Sequence, residues 1–198
     1  MPPVSSVPND EIFDKYLQKA ISEINELGDE IARAAGSSAP VLGSGHPLAD
    51  VFLLKHSPKP TEIQEGVAFF GRSGQAVLKS LQRLHVDPLA IYGTNCFKFG
   101  TEEKNDATAW LTRELHIVQP KLLVVMGEAA ISFVNDLRFP LSDPLDGSSP
   151  GAVCRFTPTI EALVTPDIDE SLDDQTEKTR FWNAFKALGP WWAEQPPY

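Results

Sequence analysis

Leu122-Leu123-Val124-Val125-Met126, closed by Gly127, is the clearest buried strand in the chain. Five consecutive apolar residues leave no polar face, so this segment reads as a strand covered on both sides, as in a parallel sheet. Gly127 turns it into a helix that runs through Phe133 and Leu137, and Pro120 stops the helix before it. Working outward, Val51-Phe52-Leu53-Leu54 is a second wholly apolar run and Ala90–Asn95 a third candidate strand. Ala152–Phe156 and Ile160–Val164 are weaker ones. Between them lie helical patterns: a long one opened by Asn9, in which Ile12, Phe13, Leu17, Ile21, Ile24, Leu27 and Ile31 recur at three- and four-residue spacing, then 74–84, then one capped by Asn105 or Asp106, and a last one over roughly 173–188. Strands alternating with helices predict a three-layer α/β/α sandwich with a mainly parallel central sheet. Ligands of such sheets bind outside the carboxyl ends of the strands. The residues that follow each strand, 55–60, 94–99, 127–129 and 165–169, are therefore the candidates for chemistry.

The 198 residues fit one domain, expected over 9–190, with a disordered 1–8 and an aromatic, proline-rich tail at 191–198. Hydrophobic and charged fractions of 42% and 22% are those of a soluble globular protein. No apolar run is long enough to span a bilayer, and the N-terminus lacks signal-peptide character, so a cytoplasmic location is expected. The net charge of -10 counts against a broad nucleic-acid footprint but leaves room for a local basic groove. The acid run Asp167, Asp169, Glu170, Asp173, Asp174 and Glu177 reads as a solvated loop and helix start. Cys96 and Cys154 read as reduced, buried thiols, and His46, His85 and His116 have no partners at metal-ligand spacing. No metal and no cofactor is expected. Gly43-Ser44-Gly45 reads as a turn, and Lys55-His56-Ser57-Pro58-Lys59-Pro60 as a loop that neither continues a strand nor easily starts a helix.

Five segments, in order, resemble family-four uracil-DNA glycosylases. Val41–Val51 is similar to that family's approach to its first strand. Gly66-Val67-Ala68-Phe69-Phe70-Gly71-Arg72-Ser73-Gly74-Gln75 resembles its Gly-x-Pro-Phe-x-Gly-x-x-Gly-Gln segment, and Tyr92–Lys98 its Tyr-x-Thr-Asn-x-x-Lys strand end. Pro120-Lys121 through Gly127 and Ala130 resembles its Pro-Lys-x-x-x-x-x-Gly-x-x-Ala unit, and Thr165-Pro166 stands where the family has His-Pro-Ser. The departures are as informative. Counted back without gaps from Gly71, Lys55-His56-Ser57-Pro58-Lys59 replaces Gly-Glu-Ala-Pro-Gly, so His56 stands for the acid and Thr165 for the later histidine. Phe99 replaces the cysteine after Lys98, and the paired cysteines before residue 40 are absent, which implies that the family's iron–sulfur cluster is lost.

The resemblance implies that Phe69 stacks a base and that Asn95 reads its edge with one acceptor and two donors. A loop aromatic packing inward and a strand-end amide capping a turn are the structural alternatives. For hydrolysis, His56 is a candidate base, Glu62 a second candidate in the same loop, and Thr165 a neutral donor to the leaving base. A surface-loop His56 is the alternative. Lys55, Lys59, Arg72 and Lys98 would ring the crevice and hold a DNA backbone, the alternative being scattered solvated cations. Two functions follow as expectations. One is a base-recognising DNA glycosylase with weak or altered N-glycosidic hydrolysis, acting on single-stranded or damaged DNA. The other is a catalytically inactive relative that binds nucleic acid, a nucleobase or a protein partner.

Overall fold

The computed structural model describes residues 8–34, 36, 38–100 and 104–197. Its centre is a six-stranded sheet in the order β1-β3-β2-β4-β6-β5. The strands are β1 (Ser44–Gly45), β2 (Val51–Lys55), β3 (Ile91–Asn95), β4 (Leu122–Met126), β5 (Val153–Arg155) and β6 (Glu161–Thr165). β3, β2, β4 and β6 run parallel, and the edge strands β1 and β5 are antiparallel. All residues of β2, β3 and β4 are buried, the burial expected of parallel strands with both faces covered.

The α-helices among the described residues are α1 (Pro8–Ala34), α2 (Pro60–Glu65), α3 (Arg72–Arg83), α4 (Lys104–Val118), α5 (Glu128–Asp136), α6 (Ile168–Ser171), α7 (Gln175–Phe185) and α8 (Leu188–Ala193). One face of the sheet packs Phe52, Leu54, Leu123 and Val125 against Leu111, Leu115 and Ile131 of α4 and α5. The opposite face packs Val51, Leu53, Val124 and Leu163 against Val77 and Leu81 of α3 and Phe181 and Phe185 of α7. The predicted α/β/α sandwich is the observed one.

Several local expectations shift. The first helix begins at Pro8, not after an Asn9 cap, because a proline's fixed φ suits the first helical position. The same property lets Pro60 open α2 within the stretch expected to stay irregular. Ser44–Gly45, expected as a turn, adds an edge strand opposite Gly93 and Tyr92. The expected tail is in part helical: α8 crosses the 190/191 boundary, and Trp191 is buried with its indole N–H on Glu161 Oε2 at 2.6 Å. Of the stretch 1–8 expected to be disordered, Pro8 is helical and 1–7 lie outside the described residues.

α1 is held by a small apolar cluster in which Leu27 and Ile31 meet Phe99 and Trp110. The Phe99 and Trp110 rings meet edge to face at 6.0 Å. Phe99→Ala is expected to cost about 3–5 kcal/mol, the loss typical of emptying an aromatic core position. Urea denaturation of the purified variant against wild type measures it.

Candidate active site

Lys55 ends an otherwise apolar strand, and no water reaches it: the residue is 0% exposed. A buried ammonium is tolerated only with opposite charge and hydrogen-bond acceptors around it. Lys55 Nζ donates to Glu62 Oε2 at 2.6 Å, to Asp169 Oδ2 at 3.1 Å and to the Ser57 carbonyl at 3.1 Å. Lys55 was expected on the DNA backbone. It is instead the centre of a buried ion cluster.

Glu62 is the hub of that cluster. Its Oε2 also accepts from the Lys59 backbone N–H at 2.8 Å, while Oε1 accepts from the Phe69 backbone N–H at 2.6 Å and from Asn95 Nδ2 at 3.3 Å. Four donors fill the four lone-pair positions of a carboxylate. Glu62 in this conformation therefore has no acceptor position left for a water, contrary to its expected role as a second candidate base.

Asn95 stands opposite Lys55 in the β2–β3 register, at the carboxyl end of its strand. Its amide orientation is fixed by chemistry: turning it would set Oδ1 against the Glu62 carboxylate. With Nδ2 so engaged, Asn95 Oδ1 is buried without a hydrogen-bond partner. Leaving a buried amide acceptor unmade costs on the order of 1–3 kcal/mol, so such atoms call for an explanation.

Phe69 is pressed onto β3 beside these groups. A Cβ on Gly93 would stand 2.8 Å from the Phe69 ring, so only glycine lets the ring lie this close to the strand. The Phe69 backbone has φ 60, a region that bulky residues rarely enter. It is locked there by Glu62 and by Gly74, where any side chain would collide with the Phe69 carbonyl at 1.8 Å. Lys55 Nζ lies over the ring, 5.6 Å from its centroid.

Asp169 is the member that sequence reasoning missed. Burial raises its carboxyl pKa; Lys55 beside it pulls the other way, and Asp167 and Glu62 add to the rise. The signal was present in the sequence: a lysine closing an apolar strand demands an acid, and the run beginning at Asp167 follows the neighbouring strand. The sign of the consequence is definite. With its folded pKa above the unfolded one, Asp169 binds more proton in the native state, so this group's stabilising contribution is full below the unfolded pKa and is lost as pH rises through the folded one. Urea melts across the acid-to-neutral range should show wild type losing stability relative to Asp169→Asn as pH rises.

The remaining expected residues are placed as follows. The His56 ring packs edge-on against Phe97 at 5.0 Å and shares a hydrogen bond with Ser57 Oγ at 2.7 Å. Thr165 is buried and donates its hydroxyl to the Pro166 carbonyl at 2.9 Å. Lys59 and Arg72 are at the surface, with Arg72 on Asp173 Oδ1 at 2.8 Å. Lys98, also expected on a DNA backbone, is buried. It is bonded to Glu114, to Thr94 Oγ1 at 2.6 Å and to the Asn95 carbonyl at 2.8 Å. Glu114 Oε1 also accepts from Tyr92 at 2.8 Å and Thr94 at 3.0 Å. Burial, with Glu114 next to it, holds the Tyr92 phenol well above its ordinary pKa. This second network braces the strand end that carries Asn95.

The donors for a protein-bound iron–sulfur cubane do not fit. Phe99 lies in the apolar cluster with Trp110. Cys96 is buried, with its thiol pKa pushed up by that burial, whereas Cys154, expected to be buried, is exposed on β5 at the sheet edge. Among the described residues no group of His, Cys, Asp and Glu could hold a metal ion. Anaerobically purified protein is expected to show no broad absorbance near roughly 400 nm, the signature of thiolate-bound cluster iron; iron and sulfide analysis checks it.

A mostly parallel sheet flanked by helices, with polar groups gathered at the carboxyl ends of β2, β3 and β6, defines an α/β protein, and α/β sheets bind ligands at those ends. A model of the uracil DNA glycosylase superfamily matches residues 42–188, and the chain belongs to that superfamily. A type-4 uracil-DNA glycosylase of Sulfurisphaera tokodaii is 25% identical over 103 residues, covering 48% of this chain and 47% of the relative. The match thus spans about half the length of that relative. Among the described residues no helix is long and apolar enough to cross a membrane.

Proposed function

We propose that this chain recognises an altered base in DNA through Phe69 and Asn95 and excises it slowly. The observation that carries the reading is the unpartnered, fully buried Oδ1 of Asn95, next to an Nδ2 already aimed at an acceptor. An acceptor and a donor side by side on one rigid strand end match the alternating donor and acceptor edge of a pyrimidine. Phe69 supplies the ring for stacking. The slow rate follows from what surrounds them. Lys55 lies over the ring that the base would cover, so binding requires its ammonium to swing out. His56 stands where the family resemblance calls for a carboxylate, and Thr165 offers one neutral hydroxyl to the departing base anion.

The inactive reading, a module that binds nucleic acid, a nucleobase or a protein without chemistry, draws on the same Lys55–Glu62–Asp169 cluster: a permanently closed pocket would leave only the surface for function. Single-turnover assays with protein in excess over single-stranded oligonucleotides carrying uracil, hypoxanthine or xanthine decide between them. Slow strand scission after alkali, abolished by Asn95→Ala, is the expected result. No product from any of the three bases would transfer the chain to the binding class.

A further inference from the structure

Two cavities lie near the carboxyl end of the sheet, and they have opposite charge. One, at the start of α5, is lined by Glu128, Asp167, Glu170 and Glu177 with Arg180 as the cation among its lining residues. The other, about 370 Å³ between α3 and α7, is lined by Arg72, Lys79, Arg83 and Lys178, and no carboxylate lines it. In a chain of net charge -10, the second is a local concentration of cations. Arg72 is paired with Asp173. Lys79, Arg83 and Lys178 are exposed and make no ion pair among the described residues. Arg83 lies over the Trp182 ring at 4.2 Å, giving the groove a flat cationic and aromatic wall.

We propose that this groove binds a segment of single-stranded DNA that runs away from the base crevice along α3. Three features favour that occupant. The groove begins beside the proposed base site, because α3 starts three residues after Phe69 and α6 starts three residues after the end of β6. Its length suits a strand: from Arg72 to Arg83 the helix rises about 16 Å at 1.5 Å per residue, enough to run beside several successive phosphates of one strand. Its chemistry is that of non-sequence-specific single-strand binding, cations spaced along a backbone with a π surface for a base. The acidic cavity repels phosphate from the other exit, so the strand is steered to this side. From the function proposed above, this proposal takes only that the substrate is DNA.

The test is fluorescence anisotropy of a short, uracil-free, single-stranded oligonucleotide over a series of salt concentrations. Wild type is compared with the triple variant Lys79→Ala, Arg83→Ala, Lys178→Ala and, separately, with a charge-matched control on exposed positions of α1, Lys15→Ala, Lys19→Ala, Arg33→Ala. All three groove residues are exposed, so the triple variant should keep its fold, which circular dichroism checks. Each phosphate contact contributes about 0.7 to the slope of log K against log salt for single strands, so loss of three should flatten the slope by about 2. At the lowest salt the affinity should fall at least about tenfold. The α1 control should leave binding and slope unchanged, and the uracil-free strand keeps the result independent of base recognition. An unaltered slope and affinity in the triple variant would overturn the proposal, as would an equal loss in the α1 control. Absence of wild-type binding together with capture of polyglutamate by the groove would overturn it in favour of an acidic protein segment.

Discussion

Uracil excision from single-stranded DNA is expected to rise at least about a hundredfold when Lys55→Gly, His56→Glu and Thr165→His are combined, the scale on which a preorganised electrostatic contact acts at a developing charge. Lys55→Gly removes the ammonium over Phe69. His56→Glu supplies a carboxylate to position water, and Thr165→His supplies a charge-assisted donor to the leaving base. Asp169→Asn belongs in the same background, since loss of Lys55 would otherwise leave Glu62 and Asp169 as facing buried carboxylates. Glu62 keeps its other three donors, from Lys59, Phe69 and Asn95. The gain should exceed the sum of the single changes, because residues acting as a unit are not additive. Without Lys55→Gly the other two should gain little, because the base still has no place to stack. Asn95→Ala in the full background should erase the gain. Single-turnover kinetics read all of these. A combined variant that folds, binds uracil DNA and does no chemistry would refute the assignment of the missing groups.

The second large effect is on stability. Lys98→Met is expected to cost about 3–5 kcal/mol, because it strands the buried Glu114 carboxylate without its cation. For a chain of this size that corresponds to a fall in Tm of roughly 10–15 °C. Tyr92 and Thr94 still donate to Glu114, but neutral hydroxyls do not replace a charge-assisted partner. Adding Glu114→Gln to Lys98→Met should recover part of the loss, since the remaining amide carries no charge to desolvate. Calorimetry or urea melts of the two singles and the double give the coupling. A surface role for Lys98 on a DNA backbone predicts the reverse pattern, with stability unchanged and a shallower salt dependence of DNA binding.

The sheet was legible because wholly apolar runs such as Val51–Leu54 and Leu122–Met126 have one economical placement, between two layers of helices. The gathering of polar residues at one sheet end was legible for a similar reason, since they directly follow such strands. What pattern could not supply is which charges face each other. Lys55, seen alone, reads as a surface cation, and Asp169 reads as one acid in a solvated run. Their pairing depends on β2 and β6 being separated only by β4, which is a fact of strand order. Lys98 and Glu114 were hidden in the same way, one after β3 and the other inside α4. Glu62 was found by sequence but with the wrong freedom, because its four hydrogen bonds come from four different segments. Pro8 and Pro60 were misplaced by treating proline as an obstacle to a helix when it is an obstacle only beyond the first turn.

The most direct measurement is the Asn95 side-chain amide in a ¹H–¹⁵N spectrum during titration with two single-stranded oligonucleotides. They are identical except that one carries uracil and the other an abasic analogue at the same position. If Asn95 reads the base, its NH₂ pair shifts with the uracil strand and not with the abasic one, while groove contacts perturb both alike. An Asn95 pair that stays fixed while the uracil strand is bound or cleaved would contradict the assignment of Asn95, and with it the base site formed with Phe69.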